Sequence, residues 1–149
     1  MPPEREELLR RWFEEGIPFN RFLGMRLHTV RRGRCVLHLP WRDELVGDPS
    51  RPAVHGGVLS TLLDTAGGCA CFAMLERPQD RVSTVDLRVD YLRPGGADDL
   101  FCEARMVRMG NRVAVARMSV YSGALPAADD RSEAEVATGQ AVYNIVRRD

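Results

Sequence analysis

The sequence predicts an α+β fold in which an antiparallel β-sheet wraps one long central helix, with a further helix at the N-terminus. Three observations carry the prediction. Residues 55–75 form a long apolar run whose only charged side chain is Asp64. Segments that alternate apolar and polar residues lie on both sides of that run. Glycine- and proline-containing turns separate those segments. A helix apolar nearly all round has to be buried, and a sheet curled around it accounts for its missing polar face.

The elements follow in order. Residues 4–15 read as an amphipathic helix with Leu8, Leu9, Trp12 and Phe13 on one face; Gly16 ends it and Pro18 follows, the usual punctuation after a helix. Residues 19–25 read as a short turn or helical segment. Residues 25–30 and 35–39 alternate around an Arg31-Arg32-Gly33-Arg34 turn and predict a first hairpin. Residues 43–53 carry Gly, Asp, Ser and two prolines and read as a loop. The central helix is expected over residues 55–75, stopped by Pro78. Residues 82–92 form a strand with Val85, Leu87, Val89 and Tyr91 on one face, closed by Arg93-Pro94-Gly95-Gly96. Strands over 100–109 and 113–122 flank a Gly110-Asn111 turn. Residues 123–133 read as an exposed loop, and 134–146 as the last strand. Length, strand count and order fit the hotdog architecture, in one domain spanning 1–149.

Composition narrows the function. The 149 residues carry no formal net charge, which gives no electrostatic case for nucleic acid or an anionic membrane as main partner. Every basic residue is arginine, so a lysine Schiff base or lysine nucleophile is excluded. Four cysteines (Cys35, Cys69, Cys71, Cys102) form no C-x-x-C pair, and His28, His38 and His55 are scattered, so no metal site is expected. The thiols read as buried and unpaired, and His28 and His38, both in strand patterns, as structural. The charged N-terminus lacks a signal-peptide apolar core. Asp64 and four glycines disqualify the central helix as a membrane span. A cytoplasmic protein is expected.

The candidate site is on the central helix. A lone aspartate in an apolar helix is costly unless it is paired, hydrogen-bonded or used for chemistry. Its neighbours at three and four residues, Ser60, Thr61, Gly67 and Gly68, are all small and leave room for a packed backbone or a slender ligand arm. His55-Gly56-Gly57 opens the helix. First-turn N–H groups lack intrahelical partners and lie at the positive end of the dipole. Glycine there lets a ligand oxygen approach without meeting a Cβ, as an oxyanion site requires. Gly56 and Asp64 are separated by about 12 Å of helix rise. If both serve one reaction, the Gly56 of one subunit must meet the Asp64 of another, which predicts an antiparallel pairing of two such helices and a shared site.

The segment His55-Gly56-Gly57-x6-Asp64, followed by Thr84-Val85-Asp86-Leu87-Arg88-Val89-Asp90-Tyr91-Leu92-Arg93-Pro94, resembles the phenylacetic-acid-degradation (PaaI-like) branch of hotdog-fold acyl-CoA thioesterases, from about Phe19 to the C-terminus. The resemblance implies hydrolysis of a small or medium acyl- or aroyl-CoA without a cofactor, in sites shared across a homodimer, with dimers often paired into tetramers. It implies that Asp64 is the family's acid, as nucleophile or as general base on water. Gly56 matches the glycine whose N–H polarises the thioester carbonyl, His55 the histidine that orients the thioester end, and Thr84 a hydroxyl that positions water or the carboxylate. Gly57 and Gly68 are expected to border the substrate, and Arg93 and Arg112 to dock the CoA phosphates. The chain departs from the pattern in two places. Asp48-Pro49-Ser50-Arg51-Pro52 occupies the loop where many relatives carry an asparagine, and Gly68 replaces a hydroxyl residue found one turn after the acid. A non-catalytic acyl-CoA-binding regulator on the same fold is the competing expectation.

Overall fold

The computed structural model describes residues 1–77, 79–127 and 134–148. Helix α1 (Pro3–Arg11) runs into a π turn (Trp12–Gly16), and α2 (Pro18–Leu23) ends on Gly24 in the left-handed conformation. Strands β1 (Arg26–Arg31) and β2 (Arg34–Leu39) form the first hairpin around Gly33, which also has positive φ. The segment read as a plain loop holds a 3-10 turn (Asp43–Leu45) and a small two-stranded ladder, β3 (Val46–Asp48) with β4 (Ala53–Val54). The central helix α3 (Gly56–Phe72) follows, then β5 (Arg81–Tyr91), β6 (Leu100–Met109), β7 (Val113–Ser122) and β8 (Glu135–Val146). Helix α3 stops three residues short of the expected Leu75. Pro78 and most of the expected exposed loop, residues 128–133, lie outside the described residues.

The large sheet has the order β1-β2-β6-β7-β8-β5, antiparallel throughout, and α3 packs against β2, β5, β6, β7 and β8. Leu62, Leu63, Ala66, Cys69, Ala70 and Cys71 of α3 are fully enclosed by it. Each leucine contributes about 1.5–3 kcal/mol by that burial. The four cysteines are free and buried. Burial pushes the Cys35 and Cys102 thiols well up and Cys71 to about 11. Among the described residues no helix is long and apolar enough to cross a membrane.

Two polar ties close the sheet's ends. Asp99 accepts the Trp41 N–H and pairs with His38 Nε2, both at 2.8 Å, while His38 stacks on Phe101. Those two bonds hold the Asp99 carboxyl below its usual range. At the other end buried Asp80 accepts from Arg147 Nη1 at 2.7 Å and from the Arg148 N–H at 3.2 Å, and its carboxyl is likewise lowered.

The apolar face of the N-terminal helix is partly covered: Phe13 is buried, whereas Leu8 is 70% and Trp12 42% exposed, beside an open groove. One expectation needs correction. In β5, Val85 does not share a face with Leu87 and Val89. A bulge places it as an extra residue between the Thr84–Tyr143 and Asp86–Val142 pairs, so it turns outward. One extra residue shifts the strand's phase by one.

Candidate active site

The helix start is built by His55. Its side chain caps α3, with Nδ1 accepting the Gly57 N–H at 2.8 Å. An accepting Nδ1 leaves the proton on Nε2, so the exposed edge of the ring is a donor. The Val58 and Leu59 N–H groups both turn to the His55 carbonyl. The Gly56 N–H is the first-turn donor left without a partner among the described residues. Gly57, expected to border the substrate, has its N–H consumed by the cap. The Gly56 carbonyl accepts from Tyr91 Oη at 3.2 Å, which pins the end of β5 against the helix start.

Around this end lies a hollow of about 530 Å³, bordered by His55, Gly56, Tyr91, Arg51 and Arg93. Arg51 is committed to Asp48 through a 3.1 Å contact. The exposed Arg93 guanidinium has no ion-pair partner among the described residues.

Two turns further along α3, the half-buried Asp64 faces a second hollow of about 270 Å³. Thr84 Oγ1 donates to its Oδ1 at 2.7 Å, while Oδ2 has no protein partner among the described residues. Tyr143 Oη donates to the Asp64 main-chain carbonyl at 3.0 Å. Burial first, and the Asp64 charge second, push the Tyr143 hydroxyl well above its ordinary range, so it stays a donor. The β5 bulge sets this arrangement. Before it Thr84 points to α3; after it Leu87 and Val89 pack on the core and Tyr91 reaches the helix start.

The two glycines after Asp64 have different reasons to be there. A Cβ on Gly67 would lie 2.1 Å from Tyr143 Oη, so glycine lets that tyrosine reach the helix backbone. A Cβ on Gly68 would meet nothing nearer than 3.9 Å. Its bare surface opens onto the hollow instead.

Of the residues singled out in the sequence, His55, Gly56 and Arg93 meet at one hollow, and Asp64, Gly68 and Thr84 at the other. The two sets share no residue. Arg112 borders neither; it sits at the β6–β7 turn, whose Gly110 and Asn111 border a different hollow together with Met74 and Glu76, beyond the far end of α3. Tyr91, Tyr143 and Arg51 were not anticipated. An oxyanion donor, a positioned carboxylate with one free oxygen and an apolar hollow together suit hydrolysis of an activated acyl group.

An antiparallel sheet curved around one such helix defines a hotdog-fold protein. The Thioesterase superfamily model matches residues 52–125. A Halobacterium salinarum protein with a provisional esterase name is 39% identical over 130 residues, covering 86% of this chain and 84% of its own length. The medium/long-chain acyl-CoA thioesterase YigI of Escherichia coli strain K12 is 34% identical over 128 residues, covering 78% of this chain and 83% of its own. A thioesterase family protein from Silicibacter pomeroyi superposes with a TM-score of 0.80 at 28% identity, over 96% of this chain and 99% of that one. The chain belongs to the thioesterase superfamily, a family of thioester hydrolases.

Proposed function

We propose that the chain hydrolyses small- to medium-chain acyl-CoA or aroyl-CoA thioesters to the free acid and CoA, using water and no cofactor, in sites shared by two copies. The observation that carries this is the Asp64 carboxylate, held on one oxygen by Thr84 and open on the other to an apolar hollow. In this reading the substrate's thioester oxygen takes the free Gly56 N–H at the helix start, where the dipole favours developing negative charge. The His55 Nε2–H lies at the same hollow and orients the thioester end. Arg93 receives the CoA phosphates.

The Asp64 carboxylate either takes a proton from water as that water attacks the carbonyl carbon, or attacks the carbon itself to give an anhydride that water then opens. Both routes break the C–S bond, and the departing thiolate takes up a proton to leave as the CoA thiol. Single-turnover hydrolysis in oxygen-18 water separates them: heavy oxygen enters Asp64 only by the second route.

Two copies are needed because Gly56 and Asp64 open into separate hollows about 12 Å apart along one helix. Strand β5 is the outer strand of the sheet, and its Val85 and Tyr91 are 66% and 56% exposed. Such an edge invites pairing with a second copy. Antiparallel pairing of two β5 edges would bring one copy's helix start toward the other's Asp64.

The test measures thiol release from a panel of acyl-CoAs. Asp64→Asn is expected to lower kcat by roughly 10²–10⁴ with the fold intact. Mixing inactive Asp64→Asn with inactive Gly56→Val is expected to recover about a quarter of wild-type turnover, because random exchange makes half the dimers mixed, each with one intact site. Full activity in Asp64→Asn overturns the assigned role, and no recovery on mixing overturns the shared site. Binding of acyl-CoA by the wild type without thiol release would favour a ligand-binding regulator.

A further inference from the structure

We infer that the paired rings of Trp12 and Phe72 set the acyl chain length by separating the hollow beside Asp64 from an apolar groove beneath α1. The inference rests on the thioesterase reading above. Asp64, Gly68 and Phe72 recur at four-residue spacing, so they form one stripe along α3, and all three border the hollow. The absent side chain at Gly68 keeps the middle of that stripe open. A chain leaving the thioester carbonyl at Asp64 and following the stripe reaches Phe72 after about 12 Å of helix, a span that roughly eight to ten extended carbons cover.

At Phe72 the path is closed. The Trp12 and Phe72 ring centroids lie 4.9 Å apart at 54°, and Phe13 backs both, at 4.9 Å from Trp12 and 6.1 Å from Phe72. Trp12 and Phe72 also border the groove on the far side, a space of about 320 Å³ with Leu8, Leu9 and Leu75. The same two side chains therefore face both spaces. Phe13 is buried at 4% exposure, whereas Trp12 is 42% exposed, so the indole, with Phe72, is what fronts the groove. The π turn brings successive residues Trp12 and Phe13 together against Phe72. The indole folds back over Gly16, where a Cβ would come within 3.1 Å of Cδ1. The occupant that fits the groove is the distal methylene end of a longer acyl chain, because the groove continues the substrate hollow past a removable wall.

The test is a kcat/KM series from butanoyl-CoA to hexadecanoyl-CoA in the wild type and in Trp12→Ala. Each methylene that enters an apolar site raises kcat/KM by about fourfold. In the wild type that rise should stop where the chain meets the wall; in Trp12→Ala it should continue, raising the hexadecanoyl-to-octanoyl ratio by about tenfold or more. An unmoved break overturns the inference. A second measurement does not depend on that variant's folding. Trp41→Phe leaves Trp12 as the only tryptophan, and its emission is read with non-hydrolysable alkyl thioethers of CoA. A change that sets in only for chains long enough to reach Phe72 supports the wall, and identical emission with butyl and dodecyl thioethers overturns it. Wild-type protein that releases no thiol from any acyl-CoA overturns the hydrolase reading and this inference with it. Normal turnover with an unmoved break overturns this inference alone.

Discussion

Two adjacent glycines of α3 should respond oppositely to the same methyl group. Replacing a mid-helix glycine by alanine favours the helix by about 1 kcal/mol. At Gly68 nothing opposes that gain, since the nearest atom to the new Cβ is 3.9 Å away. At Gly67 the Cβ meets Tyr143 Oη at 2.1 Å, Tyr143 Cζ at 3.0 Å and Met118 Sδ at 3.1 Å. Met118 can give way, but Tyr143 is 1% exposed and its hydroxyl is tied to the Asp64 carbonyl, so moving it breaks that bond. Overpacking of this kind costs about 1–3 kcal/mol, and loss of the bond from Tyr143 Oη to the Asp64 carbonyl costs a similar amount if the hydroxyl stays buried. Gly67→Ala should therefore be net destabilising by about 2–3 kcal/mol, against a gain of up to about 1 kcal/mol for Gly68→Ala. Urea unfolding measures both, at one fixed protein concentration so that any coupling to association is held constant. Tyr143→Phe removes the clashing oxygen, so Gly67→Ala should be milder in that background, and a double-mutant cycle reads the coupling. Equal stability of the two alanine variants, or a cycle with no coupling, would refute the argument.

The remaining predictions concern thiols and acid. All four cysteines are buried, and burial keeps Cys35, Cys71 and Cys102 protonated near neutrality. The folded protein should give almost no colour with a thiol-specific disulfide reagent at pH 7.5, and four equivalents after denaturation; rapid labelling of the native state would contradict this. Asp80 and Asp99 have folded-state pKa values below the ordinary 3.8. Their stabilisation is present in full above the unfolded value and is lost as pH falls through the folded one. Urea midpoints should thus decline below about pH 4, and Asp80→Asn should show a shallower decline than wild type.

Where information was local, the sequence was legible. Alternation located β1, β2, β6 and β7 to within a residue at each end, and the single charge in an apolar run pointed to Asp64. The small residues around it were visible too, although only the packed structure separates Gly67, which admits Tyr143, from Gly68, which leaves a hollow open. The partners that position the site lie far along the chain: Tyr91 is 35 residues from Gly56, and Tyr143 is 79 from Asp64. No local pattern announces such a contact. The bulge at Val85 is hidden for a related reason. The segment alternates well as written, and the phase shift arises only when it pairs with β8. Arg112 shows the limit from the other side: an arginine beside a glycine turn looks the same in sequence whichever end of the central helix that turn occupies.

The histidine cap of α3 has a consequence for engineering. Serine, threonine, asparagine or aspartate could accept the Gly57 N–H as well as His55 Nδ1 does. Selection for thermal tolerance alone would therefore let position 55 wander among small polar residues, each leaving the Gly56 N–H free. Asparagine could also accept through Oδ1 and donate through Nδ2, but imidazole carries its outward N–H on the far side of a rigid ring from the nitrogen that holds the helix start. A library screened on foldedness should lose histidine there, while one screened on turnover should retain it. Position 55 is thus a place where the two selections can be told apart by sequencing the survivors.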